Sequence, residues 1–179
     1  MKKLLTLPLA LLFVISLNAQ IDVKINPIGL LFANFDVSAE FGLSENFGLD
    51  IAPIIDFRTA DYGIDEYKYS RFGVVANPRY YVSPKNDVDR FYVGAYAKFL
   101  TGKAKLDDLV GWSNTRLAIG ANLGYKVVAD SGFVFDIGFG IGRAFVNNYE
   151  AEELNDFSED LLELFDIDFI GRLAVGWRF

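Results

Sequence analysis

The residues of this chain best placed to do chemistry are charges that recur at every second position within apolar stretches. The bases are Lys24, Arg58, Arg71, Arg79, Lys98, Arg116, Lys126, Arg172 and Arg178; the acids are Asp22, Asp36, Glu40, Asp50, Asp56, Asp136 and Asp168. Catalysis finds little among them. The sequence has no His, which removes the commonest acid/base group near neutral pH and the commonest metal ligand. It has no Cys, so no thiolate nucleophile, disulfide or lipid-bearing cysteine is available. The adjacent pair Asp107 and Asp108 falls in a polar stretch and suits a solvated turn. No catalytic, cofactor-binding or metal-ligating residue is therefore assigned, and no cofactor is expected. What the alternating charges can do is electrostatic. Gathered in a narrow, low-dielectric interior they must pair. The result is either a structural plug of salt bridges and hydrogen bonds or a gated solute path, and the plug is the reading adopted.

The elements that would gather these charges are strands, because the apolar period from Ile21 onward is 2 almost everywhere. The pattern predicts strands at 21–32, 35–43, 47–58, 67–83, 89–103, 114–129, 133–147 and 166–179. Short turns are expected at Ala33-Asn34, 44–46, 84–87 and 130–132, with polar loops at 59–66 and 104–113. Pro27, Pro53 and Pro78 fall mid-strand, where a missing N–H loses a ladder bond, so local bulges are expected there.

Glycine placement indicates which face is inside. Gly42, Gly48, Gly73, Gly94, Gly102, Gly120, Gly124, Gly138, Gly140, Gly142 and Gly176 share the charged face, whereas Gly29 and Gly171 are on the apolar one. Glycine weakens a strand unless space is tight. The charged face is therefore the cramped, concave one and the apolar face looks outward. On that outer face Phe35, Phe57, Phe72, Phe99, Phe145 and Phe169 lie near the loop ends of the strands. Phe41, Phe47, Tyr80, Phe91, Tyr125, Phe135 and Trp177 lie near the turn ends. Aliphatic residues fill the band between these two girdles. Its height is about 20–25 Å at ~3.3 Å per residue and a tilted strand. Arg143, also outward, sits close enough to the loop end to reach lipid headgroups.

Composition agrees. Aromatic residues make up 16% of the chain and charged residues 23%, an unusual pair for a soluble core. The net charge of −7 argues against nucleic acid as a partner. Residues 1–19 read as a secretory signal peptide: Lys2 and Lys3, an apolar run interrupted by Pro8, then Ala19 before Gln20. Residues 20–179 then form one domain. The one break in the two-residue period is 150–166, which holds eight acids and no base. Leu154, Phe157, Leu161 and Leu164 recur there at helical spacing and predict a short acidic helix outside the sheet.

The last strand alternates Ile167, Phe169, Leu173, Val175, Trp177 and Phe179 against Asp168, Arg172 and Arg178, and it ends in Trp177-Arg178-Phe179. This resembles the closing strand of small eight-stranded outer-membrane barrels of the OmpA, OmpX and OmpW kind. The resemblance implies an all-β, antiparallel up-and-down transmembrane barrel, with the acidic helix in its last outer loop and both termini periplasmic. It implies export to the bacterial outer membrane, with Trp177 and Phe179 as the assembly signal read by the barrel-assembly machinery. Lipid and lipopolysaccharide are the implied surroundings, and the expected state is a monomer. The implied function is a non-enzymatic structural or surface-interaction role; the alternative is a narrow channel or carrier for small compounds, apolar ones included.

Overall fold

The structure, a computed structural model, describes residues 20–27, 34–61, 66–106, 109–151 and 166–179. Eight antiparallel strands follow one another in the sheet in chain order: β1 (Ile21–Ile25), β2 (Asn34–Ser44), β3 (Phe47–Asp61), β4 (Glu66–Tyr81), β5 (Arg90–Leu106), β6 (Leu109–Val128), β7 (Phe133–Ala151) and β8 (Ile167–Arg178). The ring closes where β1 pairs with β8, Val23 lying opposite Trp177 and Ile25 opposite Val175. Closure satisfies main-chain groups that an open edge would leave bare.

The expected fold class needs correction on two points. The sheet is a ring closed through a short seam, not a barrel of eight matched spanning strands. β1 has 5 residues where β6 has 20, and its pairing with β8 runs from Asp22 opposite Arg178 to Ile25 opposite Val175. The expected first strand, 21–32, instead stops at Ile25, and Pro27 is helical. Proline fixes φ and has no N–H to continue a ladder. Secondly, the described part of the acidic segment carries no helix. Glu150 and Ala151, expected to open it, are held in β7 opposite Ser113 and Trp112 of β6, and Asp166 is in a turn. Leu154, Phe157, Leu161 and Leu164 lie outside the described residues.

Other boundaries move for the same reason, that paired strands continue through polar sequence. The described parts of the loops expected at 59–66 and 104–113 are strand, with β3 reaching Asp61 opposite Glu66 and β5 reaching Leu106 opposite Leu109. Pro53 and Pro78 produce no bulge. Pairing of β2 with β3 skips from Asp36–Ile54 to Ala39–Ile51, and that of β4 with β5 from Ala76–Ala97 to Arg79–Gly94, with register unchanged across both gaps. Each proline thus costs local pairing on one side and remains in register on the other, opposite Val74 and Leu49. Register shifts occur instead at Gly42/Ser44, Ala104/Lys105 and Leu117/Ala118.

The ring is polar inside and apolar outside. Lys24, Glu40, Asp50, Arg79, Lys126 and Asp136 are buried, whereas Phe72, Ile119, Leu123, Phe139, Ile141 and Phe145 are exposed. Glycines on β6 and β7 make room within the ring. Gly124 pairs with Gly138 and Gly120 with Gly142. A Cβ on either member of the first pair would collide with the Tyr92 hydroxyl, and one on Gly142 would come within 2.6 Å of the Tyr96 hydroxyl. No helix among the described residues is long and apolar enough to cross a membrane.

Candidate functional site

The inward charges fall into two tiers. In the lower one, nearer the turns, three carboxylates stand on adjacent strands: Asp22 (β1) is opposite Glu40 (β2), which is opposite Asp50 (β3). Three like charges side by side need cations, and these come partly from across the ring. Lys24 Nζ lies 2.6 Å from Glu40, 3.0 Å from Asp50 and 2.9 Å from Asp136 on β7. Arg79, from β4, lies 2.7 Å from Asp136 and 3.3 Å from both Glu40 and Asp50. Lys126, from β6, lies 2.7 Å from Asp22 and 2.8 Å from Glu40. Arg178 donates through Nε and Nη2 to the two oxygens of Asp22, at 2.6 and 2.9 Å. The tier balances: Lys24, Arg79, Lys126 and Arg178 face Asp22, Glu40, Asp50 and Asp136.

Arg71 of β4 and Asp56 of β3 pair between neighbouring strands at 3.0 Å. Most of the pairs cross the interior. With only eight strands in the ring, long side chains from opposite walls meet in the middle.

In the upper tier Asp168 of β8 receives Lys98 at 2.6 Å and Arg116 at 3.1 Å. Arg116 also donates to the Ile167 carbonyl at 2.7 Å. Arg172 links the tiers, with Asp50 at 2.7 Å and the Ser38 hydroxyl at 2.7 Å. Of the remaining predicted charges, Asp36 pairs through its backbone with Ile54 and Arg58 with Tyr69; their side chains lie outside the described residues. Outward-facing Arg143 is exposed and 3.9 Å from Asp166.

Three tyrosines that alternation places on the inner face, Tyr81, Tyr92 and Tyr96, join this network through their hydroxyls. Tyr81 donates to Glu40, Tyr92 to Asp136 at 3.1 Å and Tyr96 to Asp168 at 2.8 Å. The Arg79 guanidinium stacks 4.4 Å above the Tyr92 ring. Tyr92 and Tyr96 lie opposite Gly124 and Gly120 of β6, whose missing side chains leave room for their rings.

The β4–β5 connection was also underestimated. It closes the turn end of the ring rather than forming a simple turn at 84–87. Val88 is buried against Tyr81 and Tyr92, and its N–H donates to the Glu45 carbonyl at 2.8 Å. Arg178 donates to the carbonyls of Asn86 and Asp87. Ser83, Asp87, Val88 and Arg90 all have positive φ, an unfavourable conformation for residues with a Cβ and most of all for β-branched Val88. The Arg178 fork and the Val88 contacts hold Asp87 and Val88 there. Beside Arg178, Phe179 pairs with Ile21 through N–H to carbonyl bonds of 2.9 and 3.3 Å, and Trp177 packs edge-on to Phe133.

Above the lower tier is a chamber of about 330 Å³, bordered by Arg71, Lys98, Arg172, Asn77 and Asn122 and by apolar Ala52, Val75 and Ile170. Among the described residues no group of three or more His, Cys, Asp or Glu side chains is arranged to hold a metal ion.

Comparison with one solved structure agrees with the architecture. The solved structure of CarO from Acinetobacter baumannii superposes with a TM-score of 0.54 at 9% identity, covering 89% of this chain and 97% of that one. At that identity the likeness is one of fold. The outer-membrane protein Ail from Yersinia pestis, solved in a phospholipid bilayer nanodisc, gives a TM-score of 0.42 at 16% identity, covering 90% of this chain and 98% of that one. No curated protein matches the sequence. A family model does match, over residues 4–162. That span is most of the chain, and the protein belongs to the family described as proteins of unknown function, DUF3575.

Proposed function

We propose that this is a non-enzymatic, integral protein of the bacterial outer membrane with a structural or surface-interaction role, its interior plugged by its own ion pairs. The observation that carries the reading is the inverted distribution of polarity. Lys24, Arg79, Lys126, Asp50 and Asp136 are buried inside the ring, while Phe72, Ile119, Leu123, Ile141, Phe145 and Phe169 are bare outside it. A soluble protein rarely exposes a continuous apolar surface of this extent; a lipid-facing one must. Aromatic residues mark both edges of that surface, Phe72, Phe99, Phe145 and Phe169 at one and Phe47, Tyr80, Phe91, Tyr125 and Trp177 at the other. The absence of His and Cys from the sequence supports the non-enzymatic part.

Residues 1–19 act as the export signal in this reading, and Trp177 and Phe179 as the mark recognised by the assembly machinery. Gln20 and Phe179 meet the ring at the end that carries the short turns, which supports a periplasmic position for that end. Lipid and lipopolysaccharide surround a monomer. Fractionation of expressing cells together with planar-bilayer recording tests the proposal. Heat-modifiable protein in the outer-membrane fraction and an electrically silent bilayer are expected. Recovery in the soluble periplasm would refute the membrane reading, and a large steady current would replace the plug by a channel.

A further inference from the structure

The segment 82–89, between β4 and β5, is fastened to remote parts of the chain. The Val88 N–H donates to the Glu45 carbonyl in the β2–β3 turn at 2.8 Å, and the Asn86 carboxamide donates to the Val128 carbonyl at the end of β6 at 3.2 Å. Two further fastenings come from the two strands of the β1–β8 seam. Gln20, at the foot of β1, donates through Nε2 to the Asp87 carboxylate at 3.0 Å. Arg178 of β8 donates to the Asp87 carbonyl at 3.0 Å. Asp87 thus holds the start of β1 by its side chain and the end of β8 by its backbone.

In strand order the β4–β5 connection lies diametrically opposite the seam. The seam itself is short. Among the described residues it runs from Ile21, which exchanges both N–H to carbonyl bonds with Phe179, to Ile25 opposite Val175. By contrast β6 and β7 pair from Trp112 opposite Ala151 to Val128 opposite Val134. A tie from the far wall therefore reinforces the ring where its ladder is shortest.

The segment does not hold its shape unaided. Ser83, Asp87, Val88 and Arg90 have φ of 54, 45, 35 and 70°, and such a backbone persists only where its surroundings fix it. Val88 is fixed by burial against Tyr81 and Tyr92. Asp87 is fixed by Gln20 and Arg178, 67 and 91 positions away. The Arg178 guanidinium is aimed at the segment by Asp22 of β1, whose two carboxylate oxygens it meets at 2.6 and 2.9 Å. That fork is complete only once β1 and β8 have met.

We propose that residues 82–89 are a latch on the ring: they lock only after β8 has docked on β1, and Asp87 then staples the seam shut from the opposite wall. A conducting interior would leave this latch in place, so it stands apart from the plug.

The test reads amide hydrogen exchange in the chain from Gln20 to Phe179 folded into detergent micelles. Asp87→Gly removes the carboxylate and suits the positive φ of that position. It should speed exchange of the Ile21 and Phe179 amides about tenfold, the weight of one lost hydrogen bond. Leu123 and Phe139, paired between β6 and β7, should keep their wild-type rates. Asp87→Asn, which keeps an acceptor for Gln20, should leave all four amides slow. Seam amides at wild-type rates in Asp87→Gly, equally fast in both variants, or all four amides speeding together would overturn the latch. The order of locking is read without any variant. In refolding followed by pulsed exchange, the Val88 amide should gain protection with or after Ile21 and Phe179. Protection of Val88 ahead of them would overturn the proposal even if the variants fail to fold.

Discussion

Replacing Arg79 by Met is the sharpest test of the plug. The guanidinium is buried and reaches Asp136 at 2.7 Å, Glu40 and Asp50 at 3.3 Å, and the Asn77 carboxamide at 2.7 Å, with the Tyr92 ring 4.4 Å below it. Methionine keeps much of the volume and removes the charge. Glu40, Asp50 and Asp136 then share Lys24, with help from Lys126 and Arg172. Breaking one partner of a buried pair costs ~3–5 kcal/mol. At a urea dependence of ~2 kcal/mol/M, this lowers the unfolding midpoint by roughly 1.5–2.5 M. Tryptophan fluorescence of protein folded into lipid vesicles reads that midpoint, and the gel shift between folded and heated protein provides a second probe. Adding Asp136→Asn should recover part of the loss, because the lower tier is again balanced, three cations facing three carboxylates. A shift below 0.5 M, at about 1 kcal/mol on the same slope, or a double variant no more stable than the single one, would refute the claim that the interior is a closed electrostatic unit.

Other outcomes follow from the same geometry. Arg172→Met should cost less than Arg79→Met, since Arg172 is partly exposed and, among the described residues, is ion-paired with one carboxylate, Asp50, where Arg79 meets three, but more than the outward-facing Leu173→Val, whose one lost methylene is worth at most ~0.8 kcal/mol; the same urea titration ranks them. Gly138→Ala should destabilise by ~1–3 kcal/mol through overpacking against the Tyr92 hydroxyl, whereas Gly171→Ala, with nothing within 4 Å of its Cβ, should stay within ~0.5 kcal/mol. Tyr92→Phe should partly rescue Gly138→Ala by removing the colliding oxygen, and an unaltered midpoint in the double variant would count against that contact. Deleting Phe179 should lower the yield of heat-modifiable protein in the outer membrane and leave protease-sensitive chain in the periplasm; normal yield would dismiss the residue as an assembly mark.

How much of this was legible in the sequence depends on whether a feature is periodic. A strand repeats every two residues, so the alternation of Phe135 and Ile137 with Asp136, or of Leu123 and Tyr125 with Asn122 and Lys126, states by itself that one face is apolar and the other polar. The glycines then state which face is crowded. The inner charges, the outward aromatics and the three-residue span of the hairpin at Asp130-Ser131-Gly132 were readable on that basis, Gly132 taking the positive φ the turn requires. Alternation likewise places Tyr81, Tyr92 and Tyr96 on the inner face.

What the period cannot carry is distance across the ring. Lys126 and Asp22 are separated by 104 positions and lie on different walls; only closure through the short β1–β8 seam brings them to 2.7 Å. The same holds for Lys24 with Asp136 and for Arg79 with Asp136, pairs that alternation makes possible without selecting. Pairing decided where strands run on, and a proline where one stops. Ile25 ends β1 ahead of a helical Pro27, while β7 runs on to Ala151 because β6 continues beside it. The segment from 82 to 89 reads as a turn and becomes a cap, because Arg178 and Glu45, remote in sequence, supply the partners that hold its unfavourable backbone. Local sequence determined faces; only the tertiary ring determined partners, because pairing energy depends on separation in space and alternation specifies direction alone.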